Sequence, residues 1–227
     1  MNPPKRKFAV LAGLSLILMA VLAGFAYGFV YSSLVFPEEA KRTLAAIQTS
    51  LGTFKAGIAA WVGILLLDIL AAWALYKFLK EILQPLSFVT AAIRIFYSGI
   101  LGVAIYHLFA VVPLSISDPS GILVLQELNA FESIWSAGLI LFGFHLVGLG
   151  ILCWKADSIP NFWGVLLIFA GICYTGVHLA KALFPDDQAQ ILQIEQILSL
   201  PMALAEIGLA VWLLWKGGKN SIKTQST

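Results

Sequence analysis

Charge is what this chain has least of. Asp, Glu, Lys and Arg together make 11% of its 227 residues, against about 25% in soluble domains, so a water-soluble fold is excluded. Histidine occurs three times and cysteine twice. Cys153 and Cys173 sit at different depths of two apolar runs, roughly 10 Å or more apart along the helix axis, and are not expected to pair. The sequence also lacks GxSxG, GxxxxGK[ST], HExxH and CxxC, which removes the usual support for hydrolase, ATPase, zinc-protease and redox readings. No cofactor motif is present, and nothing in the chain selects a haem. The positive balance of +2 hides basic residues gathered in alternate connections, a pattern that sets orientation and not nucleic-acid binding.

What is abundant is apolar sequence. Hydrophobic residues make 60% of the chain, the mean hydropathy is +0.91, and six long runs cover 8–36, 58–79, 88–112, 136–154, 164–184 and 201–215. A spanning helix needs about 20 residues, so these runs predict an all-α integral membrane bundle of six transmembrane helices in a single domain, with the lipid bilayer as its partner. The first run follows Lys5-Arg6-Lys7 like a signal peptide, but it exceeds the roughly 7–15 residues of a secretory core and is read as an uncleaved helix. Its Gly24 and Gly28 form a small-xxx-small pair that suits close helix approach.

The connections alternate in charge. One set of ends holds nine Lys and Arg (Lys5, Arg6, Lys7, Lys77, Lys80, Lys155, Lys216, Lys219, Lys223) and the other four (Lys41, Arg42, Lys55, Lys181), which places both termini in the cytoplasm. Three outer connections carry amphipathic patterns. Leu44, Ile47, Leu51 and Phe54 mark the first, 122–134 the second and 188–199 the third, each expected as a surface helix, with capping of the bundle an equal alternative for the first. Pro201 is expected in the first turn of the sixth helix, and the tail beyond Lys219 is expected to be mobile. Trp61, Trp135, Trp154, Trp163 and Trp215 lie towards run ends, as in interfacial aromatic belts.

Against this apolar background four buried ionisable residues stand out: Asp68, Arg94, His145 and Glu206. A charge at bilayer depth costs about 2.5–3.5 kcal/mol on insertion scales, so such residues face a bundle interior or wet cavity and pair with one another. Depth matching makes Asp68 and Arg94 an ion pair. His178 and Glu206 fall at similar outer depth and could share a hydrogen bond, while Tyr174, His178 and Lys181 form a polar stripe along one helical face. His145, His178 and Glu206 are expected to present donors and acceptors to an outer cavity. His107 lies near the same outer level, but the histidine spacings give no metal motif. Neither an internal repeat nor a run broken at its centre by proline is evident, so the usual pointers to a transporter site are missing.

The strings Phe142-Gly143-Phe144-His145, Ile159-Pro160-Asn161-Phe162-Trp163-Gly164 and Pro201-Met202-Ala203-Leu204-Ala205-Glu206, continuing to Trp212-Leu213-Leu214-Trp215-Lys216-Gly217, resemble the bacterial six-helix membrane family catalogued as domain of unknown function 4386. That resemblance implies a bacterial inner membrane protein in which Asp68, Arg94, His145 and Glu206 match family positions, whereas His107, His178 and Lys181 match none. The expectation is an intramembrane polar site at Asp68, Arg94, His145, His178 and Glu206 that binds or passes a small polar molecule or ion. Two rivals remain: a membrane-embedded hydrolase whose histidines hold zinc with Asp68 or Glu206 as base, and an interaction subunit whose buried charges only fix helix packing.

Overall fold

The computed structural model describes residues 3–219, so Lys223 and the end of the tail lie outside the described residues. Among these residues the chain is helical without strands. Six helices are long and apolar enough to cross a membrane: α1 (Lys5–Leu34), α2 (Leu51–Leu79), α3 (Gln84–Ser117), α4 (Ile122–Lys155), α5 (Asn161–Leu183) and α6 (Pro185–Trp215). Helices suit such sequence because each backbone N–H and C=O finds its partner within the segment.

Each long helix packs on its neighbour in the chain, and α6 returns to α1, closing a ring of six. The two ends of the described chain lie at one face. Arg6 donates from Nη1 to the carbonyls of Leu213 and Gly217, each at 2.8 Å, and from Nη2 to that of Leu214. A cation among the unpaired last carbonyls of α6 satisfies their lone pairs and complements the helix dipole. Lys5 adds an ion pair with Glu81, just beyond α2, at 2.5 Å.

The helices run further than the apolar runs suggest. Both α3 and α4 have 34 residues, about 51 Å at 1.5 Å per residue, against a hydrocarbon thickness of about 30 Å. Segment 122–134 is therefore the projecting first part of α4, not a separate surface helix, and 188–199 is likewise continuous with the rest of α6. Pro201 sits inside α6 and Pro113 inside α3 rather than at their ends. Each proline removes a single N–H, which a long membrane helix tolerates when neighbouring helices, side chains, water or a local adjustment of the backbone satisfy the freed carbonyl.

The first connection does contain its own helix, Ala40–Thr49, with Leu44 and Ile47 buried. It caps the ring: Gln48 Nε2 donates to the Ser115 carbonyl at 2.7 Å. Leu51 and Phe54 belong instead to α2. Gly121, at φ +72°, opens α4 directly beneath this cap; a Cβ there would stand 2.4 Å from the Ala40 carbonyl oxygen, so the turn needs glycine both for its left-handed backbone and for the approach. Asp118 completes the turn by accepting from the Ser120 hydroxyl at 2.6 Å, the Ser120 N–H at 3.0 Å and the Leu123 N–H at 2.9 Å. Those bonds, the Ser120 hydroxyl first, hold its carboxyl below the ordinary carboxylate range.

Glycines set the spacing of α4 against α5. A Cβ on Gly143 would meet the Gly171 carbonyl oxygen at 2.6 Å, and one on Gly171 the Gly143 oxygen at 2.5 Å; Gly150 and Gly164 stand in the same reciprocal relation at 2.7 and 2.8 Å. Each pair lies seven residues from the other along its helix, hence on one face. Gly24 and Gly28 behave differently. They lie in a π-helical stretch of α1, Gly24–Tyr31, and have open space where a Cβ would stand, so no described helix uses that pair for close approach.

Candidate functional site

Asp68, Arg94 and His145 come together from α2, α3 and α4. Arg94 donates to Asp68 Oδ1 from Nε at 2.7 Å and from Nη2 at 2.5 Å; its Nη1 lies 3.0 Å from His145 Nε2. His145 Nδ1 is 2.9 Å from the Thr90 carbonyl oxygen. Arginine has no acceptor and a carbonyl no hydrogen, so the imidazole carries its hydrogen on Nδ1 and accepts from Arg94 through Nε2. The pair side chains are 0% and 3% exposed. Such a pair adds little stability, but removing one member would strand the other charge. His145 therefore holds Arg94 from below, out of any outer cavity. Gly148 gives the imidazole's helix its close seat on α3, where a Cβ would meet Thr90 Oγ1 at 2.4 Å.

Above this cluster lies a chamber of about 290 Å³ lined by side chains of all six long helices, among them Met19, Trp61, Asp68, Arg94, Tyr97, Trp135, Phe142, Tyr174 and Glu206. Its wall is a run of aromatic rings. Trp61 and Trp135 meet edge to face at 4.9 Å, Trp135 Nε1 donates to the Tyr97 hydroxyl at 3.3 Å, Tyr97 and Phe142 lie 5.0 Å apart, and Phe142 meets Tyr174 at 5.4 Å. The run ends where the Tyr174 hydroxyl donates to Glu206 Oε1 at 3.3 Å. The lining reaches the surface at Ala203 and Ile207 of α6.

His178 does not join Glu206. Its Nδ1 lies 2.8 Å from the Ser136 hydroxyl and its Nε2 3.7 Å from Glu195 Oε1, and it borders a second, outer pocket of about 500 Å³ with Glu132, Ser136, Lys181 and Gln188. Lys181 pairs with Glu195 at 2.6 Å. The stripe expected on α5 is real in space: Tyr174 opens on the chamber, stacks on His178 with ring centres 6.2 Å apart, and Lys181 follows at the outer pocket. His107 pairs with Glu127 at 2.6 Å. The three histidines are thus dispersed, and among the described residues no three His, Cys, Asp or Glu side chains converge as metal ligands.

The aromatic wall is the part that sequence reading misses. Trp61, 3% exposed, and Trp135 line the chamber instead of a membrane belt, where Trp154 and Trp215 do lie exposed. A signal existed for two of the others: Tyr97 follows Arg94 by three residues and Tyr174 precedes His178 by four, spacings that place them on the same helical faces.

The chain is 29% identical over 158 residues, 70% of its own length and 82% of the relative's, to an uncharacterized protein of Archaeoglobus fulgidus. No solved structure matches it. The family model described as Domain of unknown function (DUF4386) matches residues 11–217, nearly the whole ring, and the chain belongs to that family.

Proposed function

We propose that the protein is a multi-pass protein of the cytoplasmic membrane, both termini inside, whose central chamber binds a small polar molecule or ion and passes it to or from the outer pocket. The observation that carries this reading is the chamber itself: two carboxylates, a guanidinium and two phenols face one cavity at the meeting point of six apolar helices. Polar groups at such depth are costly, and packing alone needs none of them. The volume suits a small ligand, since about 300–1,000 Å³ is usual for pockets holding drug-sized molecules. The stripe Tyr174, His178, Lys181 supports a route outward. Orientation rests on the excess of Lys and Arg at the face where Arg6 meets the end of α6.

The test is a thermal-stability screen of the purified protein in detergent against small polar molecules and ions. A ligand held only by the folded state stabilises by about 2.7 kcal/mol at a hundredfold excess over Kd. The expected result is a stabilising compound whose effect disappears in Ala203→Trp, which fills the chamber from its open side, and changes in Glu206→Gln. Absence of any such compound, or an effect untouched by both variants, overturns the reading.

The hydrolase rival has no converging ligand set among the described residues. The packing-only rival predicts that nothing binds, that His145 is tolerant of substitution and that the variants act on stability alone.

A further inference from the structure

We infer that the chamber selects a small organic cation, an ammonium with an apolar body, using Glu206 as its counter-charge and the aromatic run as its cage. This rests on the binding reading above and narrows it to a class of ligand.

The argument begins with how the charges are already used. Asp68 and Arg94 neutralise one another. Four of the five guanidinium N–H groups are engaged: Nε and Nη2 go to Asp68, Nη1 to His145, and Nη2 also reaches Met19 Sδ at 3.9 Å. An anion entering the chamber would meet the Asp68 carboxylate beside the guanidinium and could gain a paired set of donors only by displacing it. Glu206 is in the opposite position. Among the described residues its one hydrogen-bond donor is the Tyr174 hydroxyl, and no lysine or second arginine lines the chamber. Thr90 Oγ1 is the one wholly buried side-chain polar atom without a partner among the described residues, so the second oxygen of Glu206 is open to the cavity instead of packed against protein. A lone carboxylate in a low-dielectric cavity stays charged only beside a cation and otherwise takes up a proton, so a cation is the ligand charge it complements.

The surroundings favour an organic cation over a metal ion. A sodium or calcium ion needs about six oxygen ligands close at hand, and here the wall is built from the rings of Trp61, Trp135, Tyr97, Phe142 and Tyr174. Ring faces attract ammonium groups and accept their methyl or methylene substituents, the arrangement of an aromatic cage. Phe142 already shows the affinity of this wall for positive charge, since the Arg94 guanidinium carbon lies 5.3 Å from its ring centre.

Three probes of nearly one shape and different charge test the inference: choline, its neutral carbon isostere dimethylbutanol, and anionic dimethylbutyrate. Each is titrated into the full chain in dodecyl maltoside, with equilibrium dialysis for affinity and tryptophan fluorescence for occupancy, since Trp61 and Trp135 form the wall. Choline is expected to bind saturably and at least about tenfold more tightly than the isostere, a difference of about 1.4 kcal/mol. Dimethylbutyrate is expected not to bind. Glu206→Gln should erase the preference for choline while keeping the thermal midpoint, and Trp135→Leu should weaken choline more than the isostere.

If the isostere binds as tightly as choline and Ala203→Trp blocks both, the chamber reading stands and the cation inference falls. Preferential binding of dimethylbutyrate also overturns the cation inference. If no probe binds, the cation inference falls, and the chamber reading falls with it only when the wider screen also finds no stabilising compound. A quaternary ammonium could come from solution or from a lipid headgroup. Repeating the titration in discs of phosphatidylglycerol and of phosphatidylcholine separates these sources: suppression of choline binding by the latter identifies the headgroup as the occupant, and equal binding identifies a soluble amine.

Discussion

Two seams of the ring contrast. Between α4 and α5 the backbones touch at two levels, Gly143 with Gly171 and Gly150 with Gly164, and nothing can enter. Between α1 and α6 close contact is confined to the cytoplasmic end as we orient the chain, where a Cβ on Gly13 would meet the Ala210 carbonyl oxygen at 2.8 Å and Arg6 clasps the last turn. At chamber level that seam offers the alanines 20, 23 and 203 with no glycine pairing, and beyond it α1 becomes π-helical. One seam is built to stay shut, while the other is tied at one end only. The difference teaches that small residues announce close packing only when a partner supplies the reciprocal gap.

The largest expected effect comes from forcing the shut seam. Gly171→Val would push a side chain into the Gly143 carbonyl and should cost about 3 kcal/mol or more, read as a lowered thermal midpoint or loss of folded protein on size-exclusion chromatography. Gly28→Ala, in the π-helical stretch of α1 where a Cβ meets open space, should stay within about 1 kcal/mol of the parent and is free to be stabilising. Similar losses at both glycines would mean that α1 is packed more tightly than its open surroundings indicate.

Of the same order is the charge pair that braces α2 and α3 beside both seams. Asp68→Asn leaves Arg94 without its counter-charge and should cost about 3–5 kcal/mol, whereas Asp68→Leu with Arg94→Met should recover most of that loss. A double-mutant cycle by thermal or denaturant unfolding measures the coupling. An additive cycle would show the pair to be independent of each other.

Smaller still, Arg6→Ala removes the clasp of the α1–α6 seam and should cost about 1 kcal/mol. The loss should come with faster amide exchange at the end of α6. The least effect is expected at the far cap. Asp118 is held below its ordinary range when folded, so its contribution is complete above the unfolded value of about 3.9 and is lost as pH falls through the lower folded value. Asp118→Asn should flatten the acid side of the stability profile below about pH 4 and lower neutral stability slightly, where the charged carboxylate contributes in full; an unchanged acid slope would remove Asp118 from that role.

Much of the fold is legible in the residues themselves. Six apolar runs become six helices because hydrocarbon length and backbone satisfaction leave no other choice. The ion pair of Asp68 with Arg94 follows from depth alone. The ends of the helices are harder to read, since an amphipathic stretch such as 122–134 has the same pattern whether it lies on a surface or continues a span, and Pro113 and Pro201 look like stops where the helices run on. The site is half legible. Depth along a helix says nothing of rotation about the ring, so His178 and Glu206 share a level yet face different pockets. Aromatic residues in an apolar run carry no sign of whether they meet lipid or line a chamber, and Trp61 and Trp135 become visible as wall only when six helices are placed together.

The most direct test of a chamber reached through the α1–α6 seam is hydrogen–deuterium exchange of the protein in lipid discs, with and without choline. The account predicts that amides around Ala20–Ala23 and Ala203–Ile207 exchange faster than those of the α4–α5 seam, as weakly packed segments do, and that saturating choline slows them while α4 and α5 stay as they were. Equal protection of both seams, or slowing that appears away from α1 and α6, would contradict it.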